Sequence, residues 1–172
     1  MRTLTIILSV AGVLLVMLPR PSQAVLICDG GSVLGLPSGA PAVTATPMVF
    51  GAYMASLGTP TTITNTITVA CVGAALNLLP YLPAFTITLS AGSSSSFSPR
   101  KFTGPSTALS YNIYTTAAMT AVWGNGTGGS VTQAGGNNLF ASQTFTGYGS
   151  IPKGQWVKAG SYTDTITITV TY

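Results

Sequence analysis

The stretch that most constrains this chain runs from Tyr162 to Tyr172. There Ile166, Ile168, Val170 and Tyr172 alternate with Thr165, Thr167, Thr169 and Thr171. A period of two puts the apolar residues on one side of an extended backbone and the threonines on the other. β-Branched residues fit such a half-buried pleated surface. The pattern recurs. Thr61–Cys71 sets Ile63, Ile67, Val69 and Cys71 on one face, Ala84–Ser90 sets Phe85, Ile87 and Leu89, and Ala108–Thr115 sets Leu109, Tyr111 and Ile113. Weaker strands are expected at Val43–Phe50, Ala121–Trp123 and Leu139–Phe145. Breaks rich in Gly, Pro, Ser and Asn separate these runs, among them Gly92–Ser96, Gly124–Gly129 and Gly135-Gly136. No sustained helical period is present after the N-terminal run, although Ala117–Val122 has room for one turn. Strands with one wet face predict an all-β, antiparallel sandwich.

The N-terminus follows different rules. Arg2 precedes an apolar run from Leu4 to Leu18, Pro19-Arg20-Pro21 ends it, and Ser22-Gln23-Ala24 offers small residues for a peptidase. This is the pattern of a secretory signal over residues 1–24, leaving Val25–Tyr172 as one domain. The run is shorter than the ~20 apolar residues of a membrane span, so no stable insertion is expected after cleavage. Ile27 before Cys28 does not fit a lipoprotein site. Of the formal +4 charge, Arg2 and Arg20 leave with the signal. Arg100, Lys101, Lys153 and Lys158 then face Asp29 and Asp164, too sparse a set for a nucleic-acid surface. Cys28 and Cys71 are the two cysteines. Export makes a disulfide between them the expected state, contributing ~4 kcal/mol by loop closure. The competing state is a pair of free or metal-binding thiols, but zinc needs further ligands and the chain has no His.

Catalytic chemistry is poorly supplied. There is no His or Glu, and Asp29 and Asp164 are the sole carboxylates, so a Ser-His-Asp triad is impossible and no enzyme is expected. No cofactor or metal site is expected either. Asp164 opens the last strand pattern and is expected to be structural. Tyr162, just before it, resembles the tyrosine corner of immunoglobulin-like sandwiches, whose hydroxyl pins a turn. Gly124–Gly129 looks like a phosphate cradle but lacks a Lys, so a turn is expected. Asn125-Gly126-Thr127 matches a glycosylation sequon. Arg100-Lys101 is read as a solvated basic pair.

A set of motifs in order resembles the spore coat protein U domain, the subunit domain of archaic, Csu-type chaperone–usher pili. The carrying residues are Phe50-Gly51-Ala52-Tyr53, Ile67–Cys71, Phe85–Gly92, Arg100, Leu109–Tyr114, Trp123-Gly124, Tyr148-Gly149, Gly154-Gln155 and Gly160–Tyr172. The resemblance implies an immunoglobulin-like sandwich lacking its last strand. It implies as partners a periplasmic pilus chaperone, an outer-membrane usher and neighbouring pilus subunits, each lending or exchanging a strand at an open edge. It also implies a path through the periplasm to a fimbrium at the cell surface or to the extracellular space, and a role in adhesion and biofilm formation. One feature departs from the pattern. After cleavage, Val25, Leu26 and Ile27 alone precede Cys28, too few to donate a strand, which suits a subunit at the fibre tip.

Two other readings remain: a secreted coat or matrix protein that does not polymerise, and a small carbohydrate-binding sandwich with Trp123 and Trp156 as sugar platforms. A surface-binding loop is expected between the strands ending at Cys71 and beginning at Ala84. It carries Leu76, Leu78, Leu79, Tyr81 and Leu82 without a charge. An exposed apolar loop of this kind calls for a partner. The competing reading folds these residues back over the core.

Overall fold

The computed structural model describes residues 3–10, 40–72, 82, 84–105, 107–136 and 142–172. Among them the chain forms β1 (Thr3–Val10), β2 (Ala40–Ala45), β3 (Thr61–Val72), β4 (Phe85–Leu89), β5 (Arg100–Phe102), β6 (Leu109–Tyr114), β7 (Gln133–Gly135), β8 (Ser142–Ile151) and β9 (Asp164–Thr171). A short 3-10 turn at Gly92–Ser94 is the one helical element there, and no described helix is long and apolar enough to cross a membrane.

The strands form two antiparallel sheets, one ordered β1-β9-β4-β7 and the other β2-β3-β8-β6-β5. The expected alternation decides which faces meet. Phe85, Ile87 and Leu89 of β4 and Ile166, Ile168 and Val170 of β9 are buried, against Ile67 and Val69 of β3 and Leu109, Tyr111 and Ile113 of β6. Each such side chain contributes ~1.5–3 kcal/mol of burial. Phe85 meets Phe145 edge-on at 5.8 Å, and Phe102 stacks on Tyr111 at 4.0 Å. Threonines stay outside, with the hydroxyls of Thr68 and Thr144 2.9 Å apart across β3 and β8. The architecture is the β-sandwich that the periodicity predicts.

The weaker expectations shift. Of the strand expected at Leu139–Phe145, residues 139–141 lie outside the described residues, and β8 covers Ser142–Ile151, well past Phe145. Gly147 and Gly149 hide its second half from a periodicity reading, yet packing demands them. A Cβ at Gly149 would lie 2.7 Å from the Phe50 ring, and one at Gly147 would strike Asn65. β2 starts earlier than Val43 and ends at Ala45. The chain then leaves the sheet so that Met48 can enter the core. Ala121–Trp123 makes isolated bridges from Val122 and Trp123 in place of a ladder. β5 and β7 have three residues each, too few to show a period.

Candidate functional site

The strand with the clearest pattern, β9, is also the one whose two flanks differ most. On one flank it pairs with β4, Thr171 opposite Thr86 and Ile168 opposite Leu89. On the other it pairs with β1 along its whole length, from Asp164 opposite Val10 to Thr171 opposite Thr3. Thr167 turns its carbonyl to Ser90 N–H at 2.9 Å and its N–H to Ser90 Oγ at 2.9 Å, both on the β4 side. By strand alternation Ile166, Ile168 and Val170 present their backbone groups to β1. Leu8, Ile6 and Leu4 hold the register positions opposite those three residues. The β1 flank of β9 is therefore a backbone template beside a buried apolar row. It is covered by residues from the segment read as a signal.

The start of β9 is fixed by a buried polar centre. Asp164 is 3 % exposed and its carboxylate accepts from Ser93 N–H (2.8 Å), Ser93 Oγ (2.6 Å), Tyr111 hydroxyl (2.7 Å) and Thr165 N–H (2.8 Å). These donors leave little of the carboxylate unpaired, as a buried charge requires. Burial first, and then the hydrogen bond to Asp164, push the Tyr111 hydroxyl well above the usual phenol value. Gly92 has a φ of +68°, and any Cβ there would run into the Asp164 carboxylate, so glycine is needed on both counts.

Arg100 forms a second centre, and here the structure corrects the sequence reading. The side chain is fully buried and is no part of a solvated pair, whereas Lys101 is exposed. Nε and Nη2 donate to Ser90 O at 3.0 and 2.8 Å, Nη2 to Trp123 O at 2.7 Å and Nη1 to Asn112 Oδ1 at 2.8 Å. The guanidinium also lies over the Phe97 ring, 5.0 Å from its centroid. Burial lowers its pKa to about 10, which leaves it a cation at neutral pH. Arg100 ties β5, β6 and the segment after β4 together across the two sheets. Sequence reasoning missed this role because a planar donor fork inside a core looks, in one dimension, like any surface arginine.

The other candidate residues fare as follows. Tyr162 donates to the carbonyl of Lys158 at 2.8 Å, the hydroxyl-to-backbone bond of a pinned turn. Asn125 Oδ1 accepts from Thr127 N–H at 3.0 Å within the Gly124–Gly129 turn. Trp123 is buried, its indole N–H bonded to Ile87 O at 3.2 Å, so it is no sugar platform. Trp156 is 80 % exposed. Of the expected surface-binding loop, Leu76, Leu78, Leu79 and Tyr81 lie outside the described residues. Leu82 is 1 % exposed and sits in the core cluster, which removes it from any surface contact. Cys28 lies outside the described residues and Cys71 occupies a β3 position opposite Pro41, so their pairing lies outside them too.

A family model described as the Spore Coat Protein U domain matches residues 38–169. The match takes in the strands from β2 to nearly the end of β9 and leaves β1 outside. No curated protein matches the sequence significantly. Among solved structures, the chain is similar to one in the CsuC–CsuE chaperone–tip adhesion subunit pre-assembly complex from the archaic chaperone–usher Csu pili of Acinetobacter baumannii. The identity is 16 % and the TM-score 0.48. The similarity covers 77 % of this chain and 40 % of that one, so this chain spans less than half of that chain's length. With the family model matching most of its length, over an all-β sandwich, the chain belongs to the spore coat protein U domain family.

Proposed function

We propose that this chain is an exported subunit of a chaperone–usher surface fibre. Residues 1–24 are its cleaved signal, and the β1 flank of β9 accepts a strand from a periplasmic chaperone and then, at the outer-membrane usher, from a neighbouring subunit. The observation that carries this reading is the pairing of Thr3–Val10 along all of β9. Those residues go when the signal is cut, and the family segment begins well after them. Cleavage would leave the backbone groups of Ile166, Ile168 and Val170 without partners beside an apolar row. An open edge of that kind drives pairing with another chain. No nucleotide or cofactor is required, because strand addition draws its free energy from burial and backbone hydrogen bonding.

The short segment Val25–Ile27 before Cys28 supports a terminal position, since spanning β9 from Asp164 to Thr171 takes a longer donor. Adhesion and biofilm formation are the roles that fit a subunit so placed. The disulfide Cys28–Cys71 belongs to the same proposal, and thiol labelling of the unreduced exported protein should find neither cysteine.

The test uses the mature chain from Val25. Alone it is expected to self-associate or aggregate. A peptide with apolar residues at alternate positions, or a co-expressed chaperone, should make it monomeric and raise Tm by about 10 °C or more. A monomeric mature chain whose Tm the peptide does not change overturns the reading.

A further inference from the structure

The loops that close the end of the sandwich between β8 and β9 enclose a cleft of about 550 Å³. That lies within the ~300–1,000 Å³ of small-ligand sites. Phe102 and Leu109, both buried, form part of the floor, and Phe50, Tyr53 and Tyr162 stand in the walls. Lys158 is at the rim.

The walls are set before any ligand arrives. Tyr53 hydroxyl donates to Pro152 O at 3.0 Å and accepts from Gln155 N–H at 2.8 Å. Tyr162 is held through its hydroxyl to Lys158 O at 2.8 Å, and its ring lies so close over Gly104 that a Cβ there would collide with it. Phe50 is braced edge-on against Phe102 at 5.8 Å. Fixed aromatic faces reduce the ordering cost of binding.

Charge at this end has one sign. Among the described residues Arg100 and Asp164 are buried, and the exposed charges are Lys101, Lys153 and Lys158. Lys153 donates to Gly58 O at 3.0 Å, and Lys101 lies opposite Ser110, whose backbone is held by the Gln155 side chain. Of the three, Lys158 alone lines the cleft. The cleft lining contains no carboxylate. Among the described residues the Lys158 ammonium has no hydrogen-bond or ion-pair partner. An acyl chain would desolvate the amide, hydroxyl and ammonium groups of the lining without replacing their hydrogen bonds. A sugar offers both an apolar ring face and a hydroxyl rim.

We propose that this cleft binds an acidic saccharide, with sugar rings against Tyr53, Phe50 and Tyr162 and a carboxylate on Lys158. The inference stands apart from the fibre reading, because the cleft does not involve the β1 flank of β9.

The test is calorimetric titration of the full chain with trigalacturonic acid and, separately, with its methyl ester. The acid should bind and the uncharged ester should bind much more weakly. Lys158→Met should weaken the acid about tenfold, the loss of one charge-assisted hydrogen bond. Lys101→Met makes the same change of net charge outside the cleft and should weaken it less than about twofold at physiological salt. Gly104→Ala should push the Tyr162 ring into the cleft and abolish binding, with near-ultraviolet dichroism confirming the fold. Should that variant fail to fold, the two lysine variants still decide. Failure of the acid to bind the full chain overturns the proposal, as does equal affinity for acid and ester. Equal losses from Lys101→Met and Lys158→Met overturn it too, because they would show general attraction of anions. Capture by phosphatidylglycerol vesicles that Lys158→Met abolishes, without binding of the acid, would overturn the saccharide and assign the cleft to a lipid headgroup instead.

Discussion

Along β4, β9 is held by side chains from distant parts of the fold; along β1, it is held by backbone register to a segment outside the family domain. On the β4 flank Ser90 Oγ bonds Thr167 N–H, while Ser93 and Tyr111 converge on Asp164 at the strand's start. On the β1 flank the partner is Thr3–Val10, an uncharged run whose apolar residues would suit many acceptors. The strand's sequence is the same seen from either side. What differs is whether the partner is locked by specific polar geometry or simply presents a compatible alternation. A flank of the first kind suits a permanent contact. The second kind suits a contact that is exchanged, because alternating apolar residues and backbone hydrogen bonds tolerate substitution of one strand by another.

The largest effect should come from attacking the locked flank. Asp164→Ala leaves Ser93 and the buried Tyr111 hydroxyl without an acceptor and should destabilise the chain by about 3 kcal/mol, read from the urea midpoint. This loss is expected whether or not residues 1–24 are present. If the variant matched the wild type, the distinction between the flanks would fail.

Ile6→Pro attacks the other flank. The N–H of Ile6 faces β9 in this register, and proline removes it, so a loss of about 1–3 kcal/mol is expected in the full chain. Proteolysis should then nick β1 faster while the core stays protected. A loss larger than that of Asp164→Ala would mean that β1 is as integral as β4.

The smallest effect sharpens the contrast through pH. Tyr111 keeps its proton in the folded chain above the usual phenol value, so its contribution is complete below about pH 10 and is lost as pH climbs beyond it. Arg100, lowered to about 10, works in the opposite direction there, since the unfolded chain then holds the extra proton. Tyr111→Phe removes the falling component. Its stability should therefore decline less than the wild type's above about pH 10 in denaturant titrations. An unchanged slope would place the alkaline sensitivity elsewhere.

Residues 3–10 show how context decides. Their run of apolar residues reads as a leader because of Arg2 before it and the prolines after it, yet in the folded chain it lies as a strand on β9. Short apolar runs fit either description, and here the backbone flank of β9 that β4 does not use pairs the run as a strand. Trp123 and Trp156 make the same point in reverse. Nothing in one dimension separates them, but one ends in the core and the other at 80 % exposure.

By itself the sequence determined the alternating faces of β3, β4, β6 and β9, and with them a sandwich of antiparallel strands. Period-two patterning is local, so it survives without knowledge of partners. Tertiary structure alone decided the rest. It extended β8 through Gly147 and Gly149, because a close approach by Asn65, Met48 and Phe50 is what makes glycine favourable there. It buried Arg100 and Asp164, and it gathered Phe50, Tyr53, Lys158 and Tyr162 around one cleft from loops far apart in the chain. Such convergence depends on distances between segments, and a sequence pattern contains no information on those until the sheets have packed.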